Sequence, residues 1–221
     1  MIVGYVVAQL AGFWLVTLIA AATHGLGLHM NLPLSGWAVS AGVLLGAVWV
    51  VTFTWYFARP WLHDANAGGL AWCAPSQHHS YAVALLMAFT LVALVVVTEL
   101  LLPPDPRQLT GPMQLLSTSR GATHVLFVLL AVVIAPPVEE LMFRGVAFAA
   151  VARRSGTAAA TLLTTLAFVV LHAADKIHYW PGFMLVGGLA LANVFLRLRY
   201  RSLWPGILLH MTYNGLLILL T

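Results

Sequence analysis

Long apolar runs separated by short breaks rich in proline, glycine or charge fill this chain, and within the runs most positions are Leu, Val, Ala, Ile, Phe or Trp. That pattern lacks the polar stripe of a helix lying on a soluble core, so the surroundings of each helix must be apolar on all sides. A helix needs about 20 apolar residues to cross the hydrocarbon layer, and only helices or closed barrels satisfy their backbones there. Seven runs meet that length or approach it: 2–22, 36–57, 81–102, 122–152, 158–174, 182–196 and 203–220. The predicted fold is therefore an all-α, polytopic transmembrane bundle of about seven spans. The fourth span carries Pro136 and Pro137, which must kink or break it, because proline lacks a backbone donor and crowds the preceding turn.

Composition agrees with this reading. Of 221 residues, 62% are hydrophobic and 7% charged, against about 25% charged in soluble domains. The net charge of +4 does not indicate nucleic acid, since the basic residues sit at helix ends and no soluble basic domain carries them. The first run has no basic residue before it and no small-residue cleavage site after it, so it is expected to remain as a helix. Cys73 is the single cysteine, which excludes an internal disulfide. Tryptophan and tyrosine near the breaks, such as Trp55, Trp61, Tyr179, Trp180, Tyr200 and Trp204, fit interfacial anchoring. Gly42 and Gly46 form a GxxxG pair that permits close helix packing.

Against this background three charges stand out within the fourth span: Glu139, Glu140 and Arg144. A charge at mid-membrane costs roughly 2.5–3.5 kcal/mol on insertion scales, so such residues mark functional sites by default. Glu140 and Arg144 are one helical turn apart in the favourable acid-before-base order. Glu139 points about 100° around the helix from Glu140, which leaves its carboxylate available for chemistry. Two later spans add residue pairs one turn apart, the aromatic Phe168 with His172 and the polar His210 with Asn214. Each alone could be packing; together they bring ionisable or amide groups from three helices into the membrane.

These segments, Glu139-Glu140-Leu-Met-Phe-Arg144, Phe168-Val-Val-Leu-His172 and His210-Met-Thr-Tyr-Asn214, resemble the EExxxR, FxxxH and HxxxN motifs of the CPBP family. That family comprises the CAAX prenyl endopeptidases and many bacterial relatives, some linked to bacteriocin processing and self-immunity. The resemblance covers roughly 121–221, which divides the chain into amino-terminal transmembrane helices over 1–120, read as scaffold, and a CPBP-like catalytic membrane core over 121–221. It implies an intramembrane endopeptidase of the glutamate type: Glu139 and His172 activate water, His210 and Asn214 stabilise the oxyanion, and Glu140, Arg144 and Phe168 support them. No cofactor is expected, with zinc as the alternative, because one carboxylate and two imidazoles also form the His₂Glu set of a catalytic zinc site. A rhomboid-like serine reading rests only on Ser35-Gly36 and is weak. A transporter or proton relay would place polar groups in matched positions of two repeats, which are absent here; an immunity module without peptidase activity would not need every motif position. The expected partner is a membrane-embedded or lipidated protein or peptide within the bilayer, in the inner or plasma membrane of a bacterium or archaeon.

Basic residues set the orientation. With the amino terminus cytoplasmic, the inner breaks hold Arg59, Arg153, Arg154, Arg197, Arg199 and Arg201, and the outer ones Arg107, Arg120 and Lys176, six against three. A reporter fused to the carboxyl terminus is therefore expected to read extracytoplasmic; a cytoplasmic signal would reverse the assignment.

Overall fold

The computed structural model describes residues 1–24, 36–105 and 119–220. Ser35 and Arg107, which the sequence reading invoked, lie outside the described residues. Among those described there is no strand. The helices are α1 (Ile2–His24), α2 (Gly36–Phe53), α3 (Ser80–Leu101), α4 (Gly121–Leu129), α5 (Ala135–Glu140), α6 (Phe148–Leu171), α7 (Ala173–Lys176), α8 (Pro181–Tyr200) and α9 (Trp204–Leu220). π-helical turns at Leu130–Ile134 and Leu141–Ala147 join α4, α5 and α6, and another at Thr54–Ala58 extends α2.

Among the described residues, four apolar stretches are long enough to cross a membrane: Trp37–Trp61, Ser80–Leu101, Gly121–Leu171 and Pro181–Tyr200. Two shorter apolar helices, Ile2–Leu18 and Trp204–Leu220, accompany them. The 51-residue stretch cannot be one rod, because at 1.5 Å per residue it would exceed twice the hydrocarbon thickness. Gly156 divides it, with φ 80° and ψ 172°, a left-handed extended conformation that glycine adopts without steric cost. The two arms fold against each other, as the 5.1 Å contact between the Phe143 and Phe168 rings records. Among the described residues seven apolar helical segments result, in line with the seven runs of the sequence.

The prolines perturb the fourth span without interrupting it. Ahead of them the helix widens into a π turn, in which the Ala135 amide bonds the Leu130 carbonyl five residues back. Pro136 and Pro137 then follow in helical geometry at the start of α5. The loss of two consecutive donors is absorbed by re-spacing the hydrogen bonds, so the expected kink takes the form of a wide turn.

Packing uses both small residues and bulky ones. A Cβ on Gly12 would lie 2.7 Å from the Ala41 carbonyl oxygen, and one on Gly42 would lie 2.6 Å from the Gln9 carbonyl oxygen. So α1 and α2 meet backbone to backbone, as the GxxxG pattern permits. Elsewhere Met142, Phe143, Phe168, Leu203 and Ile207 form one buried cluster, and Ala84, Ala88, Leu189, Leu196 and Leu209 another where α3 meets α8 and α9. Leu86, Phe89, Leu162, Val170, Met184 and Phe195 face outward; that apolar exterior is what a lipid-facing bundle requires.

One end of the bundle is an arginine-laced junction. Arg153 donates to the Gly68 carbonyl at 2.6 Å, Arg201 to Asn66 Oδ1 at 2.7 Å, and Arg197 to the Gly69 carbonyl at 2.6 Å. These bonds tie the loop after α2 to the Gly156 turn and the α8–α9 turn, so the three breaks grouped by basic content do share one end. Arg197 corrects the sequence reading in one respect: taken as a loop charge, it is 2% exposed inside α8 and serves backbone carbonyls. Its stem crosses apolar surface while the guanidinium finds acceptors, which a residue count along the chain could not reveal.

Because the α1–α2 contact has no room for a side chain, Gly42→Val should overpack it at a cost of about 1–3 kcal/mol. A lowered melting temperature in detergent, with Gly187→Ala as the tolerated control, would record that loss; Gly187 has only a 3.8 Å neighbour at its Cβ position.

Candidate active site

Glu140 is the centre around which the other polar groups are arranged. It is 1% exposed on the last turn of α5. Its Oε1 receives Asn193 Nδ2 at 2.8 Å, His210 Nδ1 at 2.9 Å and Arg144 Nη1 at 3.4 Å. Three helical segments thus converge on one oxygen. A buried carboxylate without donors would be prohibitively costly; here charge pairing and hydrogen bonds offset its desolvation. Arg144 is fully buried, and its Nε and Nη2 have no hydrogen-bond partner among the described residues. Its guanidinium instead lies 4.3 Å from the Phe168 ring centroid, a cation–π contact worth about 0.5–2 kcal/mol when desolvated.

Phe168 also organises the histidines. Its ring is 4.5 Å from that of His172 and 5.9 Å from that of His210. His172 Nδ1 lies 2.9 Å from the Phe168 carbonyl oxygen. A carbonyl only accepts, so Nδ1 carries the hydrogen, and the Nε2 of a neutral ring is left with its lone pair. The same logic applies to His210, whose Nδ1 donates to the Glu140 carboxylate and whose Nε2 stands 3.9 Å from Glu139 Oε2. That gap is too long for a direct hydrogen bond and matches the span that a shared water bridges.

Asn214 is held differently. Its Nδ2 donates to the Ala131 carbonyl at 2.9 Å. The π turn and the prolines explain why that acceptor is available: the Ala135 amide bonds Leu130, and Pro136 has no amide hydrogen to offer. The π turn after Glu140 frees a second carbonyl. The Phe148 amide bonds Phe143 and Gly145, passing over Arg144, and the Arg144 carbonyl is taken by Arg197 Nε.

Glu139, Phe168, His172, His210 and Asn214 line one cavity of about 680 Å³, whose walls are mostly apolar and which Tyr5, Gln9 and Ser40 complete from α1 and α2. Glu99, Lys176 and Tyr179 lie along it as well. The structure therefore brings together every residue that the motifs singled out: Glu139, Phe168, His172, His210 and Asn214 at the cavity, and Glu140 and Arg144 behind them. Sequence reasoning missed Asn193, Arg197 and Tyr5. Asn193 and Arg197 are one turn apart, the spacing of Glu140 and Arg144, but the sixth apolar run ends at Leu196, so Arg197 reads as a loop charge and Asn193 as a lone amide. Cys73 takes no part; its Sγ donates to the Arg201 carbonyl at 3.4 Å, and burial pushes the thiol up from its ordinary value, against thiolate chemistry.

Among the described residues no three His, Cys, Asp or Glu side chains converge as metal ligands. Both imidazoles direct Nδ1 to acceptors within the protein, which leaves Nε2 as the nitrogen for a water or any other ligand, and Glu140 Oε1 already holds three donors.

Residues 121–216, just under half of the chain, match the family described as type II CAAX prenyl endopeptidase Rce1-like. No curated protein and no solved structure matches the chain. The matched segment spans the three motifs, agrees with the CPBP resemblance and supports a protease.

The donor set around Glu140 makes a stability prediction. Arg144→Met leaves a buried carboxylate short of its cation and should cost about 3–5 kcal/mol. Adding Glu140→Gln removes the stranded charge, so the double variant should recover part of that loss in detergent unfolding. Purely additive losses would show that the pair is not coupled. Cleavage should also fall in Arg144→Ala, because His210 is oriented through Glu140.

Proposed function

We propose that this Rce1-like chain is an intramembrane endopeptidase that hydrolyses a peptide bond in a membrane-embedded or lipid-anchored substrate, using Glu139 as general base. The observation that carries this reading is the arrangement at one apolar cavity: Glu139 faces His210 Nε2 at 3.9 Å, while Glu140 fixes His210 from behind. The rest of the machinery follows from what each group has free.

A water held between Glu139 and His210 loses a proton to the Glu139 carboxylate as its oxygen attacks the peptide carbonyl carbon. The new C–O bond forms while the carbonyl π pair moves onto oxygen, giving a tetrahedral oxyanion. Return of that pair expels the amine, whose nitrogen receives the proton carried by Glu139. His172, with Nε2 unencumbered, assists the water on attack or the leaving nitrogen on collapse. General-base assistance of this kind contributes about 10²–10⁴-fold. Water exclusion by the apolar walls strengthens each electrostatic interaction within the cavity.

We read the site as metal-free. Zinc would need three protein ligands at about 2 Å, and among the described residues no three His, Cys, Asp or Glu side chains converge in that way. The side-chain geometry supports a glutamate peptidase over its zinc counterpart.

The cavity also suggests how substrate arrives. Its long apolar wall suits a lipid chain or the flank of a transmembrane segment entering sideways. Glu99, Lys176 and Tyr179 mark an end away from the arginine junction, which under the assigned orientation faces outside. Trimming of the membrane anchor of an exported protein or peptide fits that geometry.

The test is cleavage, in liposomes, of a farnesylated CAAX-type peptide and of an unprenylated transmembrane peptide. Wild type should cleave at least one in the presence of a strong chelator, and Glu139→Gln should lose at least 10²-fold in kcat. Chelator-sensitive cleavage would instead favour zinc, and full activity of the variant would remove Glu139 from the chemistry.

A further inference from the structure

Peptide hydrolysis requires donors for the developing oxyanion, and the motif residues assigned to that duty are largely engaged. His210 Nδ1 is bonded to Glu140 and its Nε2 faces Glu139. The Asn214 amide is directed at the Ala131 carbonyl. His172 donates through Nδ1 to the Phe168 carbonyl. The cavity therefore calls for another donor, and its amino-terminal wall supplies one.

Tyr5, on α1, lies outside the matched segment and outside every motif. It is 2% exposed, lines the same cavity as Glu139 and His172, and its phenol is within electrostatic reach of the Glu139 carboxylate. Its position is set by close helix packing. A Cβ on Gly46 would fall 2.7 Å from Tyr5 Cε2, so glycine at 46 is what admits the ring between α1 and α2. The backbone contact of Gly12 and Gly42 fixes the same helix pair one and two turns further along. A phenol also suits a bilayer site: it donates a strong hydrogen bond while remaining neutral, which avoids the insertion cost of Lys or Arg.

We propose that Tyr5 is a further catalytic residue, whose hydroxyl donates a hydrogen bond to the scissile carbonyl oxygen as that oxygen becomes anionic. This rests on the peptidase reading and extends it to a helix that the sequence presented as scaffold. The donor is needed only as charge develops, so its contribution belongs in kcat and not in substrate binding.

The experiment compares wild type, Glu139→Gln, Tyr5→Phe and Tyr5→His on the farnesylated CAAX-type and transmembrane peptides in liposomes, with melting temperatures measured alongside. Tyr5→Phe should lower kcat by about 10²-fold, the lower end of the effect of one oxyanion donor, at unchanged KM and melting temperature. Tyr5→His restores a donor and should recover at least part of that loss. Wild-type kcat in Tyr5→Phe, with Glu139→Gln inactive, would overturn the role of Tyr5 and leave the peptidase reading standing. A raised KM or lowered melting temperature at constant kcat would reduce Tyr5 to packing and overturn the proposal as well. Failure of the wild type to cleave either peptide would overturn the peptidase reading, and the role of Tyr5 with it.

Discussion

In a bilayer a backbone carbonyl released from its helix cannot turn to water, and that constraint organises this protein. The helix that bears the glutamate pair is flanked by two π turns, each of which releases a carbonyl: Ala131 before the prolines and Arg144 after the acids. Each is taken by a side chain from a different carboxyl-terminal helix, Asn214 of α9 and Arg197 of α8. Those two bonds register the helices against one another at the level of the site. The backbone defect and its repair are thus what join three spans at one polar centre, and π turns at functional positions commonly have this character.

Charge compensation builds on that frame. Glu140 is surrounded by Asn193, His210 and Arg144, and Arg144 in turn rests on the face of Phe168. Such a buried network adds little net stability compared with a well-packed apolar alternative, but breaking it in part is expensive. Its use here is orientation. The Glu140 contact fixes which His210 nitrogen carries hydrogen and aims the other at Glu139. Two adjacent glutamates therefore have opposite fates: one saturated with donors inside the protein, the other 12% exposed at the cavity.

Much of this was legible in the residues, for physical reasons that differ between elements. Spans are readable because hydrocarbon thickness sets their length, and the Gly156 division was visible as a break after Arg153 and Arg154. Glu139, Glu140 and Arg144 were readable because charge is costly in lipid. By contrast, in a bundle apolar both inside and out, nothing in the pattern of Leu and Val tells which face of α1 turns inward. Tyr5 was therefore indistinguishable from an interfacial tyrosine until Gly46 was seen to admit its ring. Arg197 was hidden for another reason: a helix that continues past its apolar stretch can draw a terminal arginine inward when carbonyls await it; Asn193, within the run, read as a lone amide. The expected break at Pro136 and Pro137 became a π turn because helix continuity was kept by re-spacing hydrogen bonds, which spacing along the chain does not encode.

On the proposed mechanism, structural and catalytic demands compete for the Asn214 side chain. In the motif reading it faces the reacting carbonyl; in the folded chain its amide is also the group that satisfies Ala131. An amide nitrogen has two hydrogens, so a single Asn can cap the backbone with one and leave the other towards the cavity it lines. On the proposed mechanism that division leaves less of the oxyanion duty to Asn214, and a neutral donor from the opposite wall becomes chemically useful. The α1–α2 contact, close enough at Gly12 and Gly42 to bring backbone onto backbone, is what places Tyr5 on that wall. The helices outside the motif-bearing half are thus continuous with the site they enclose.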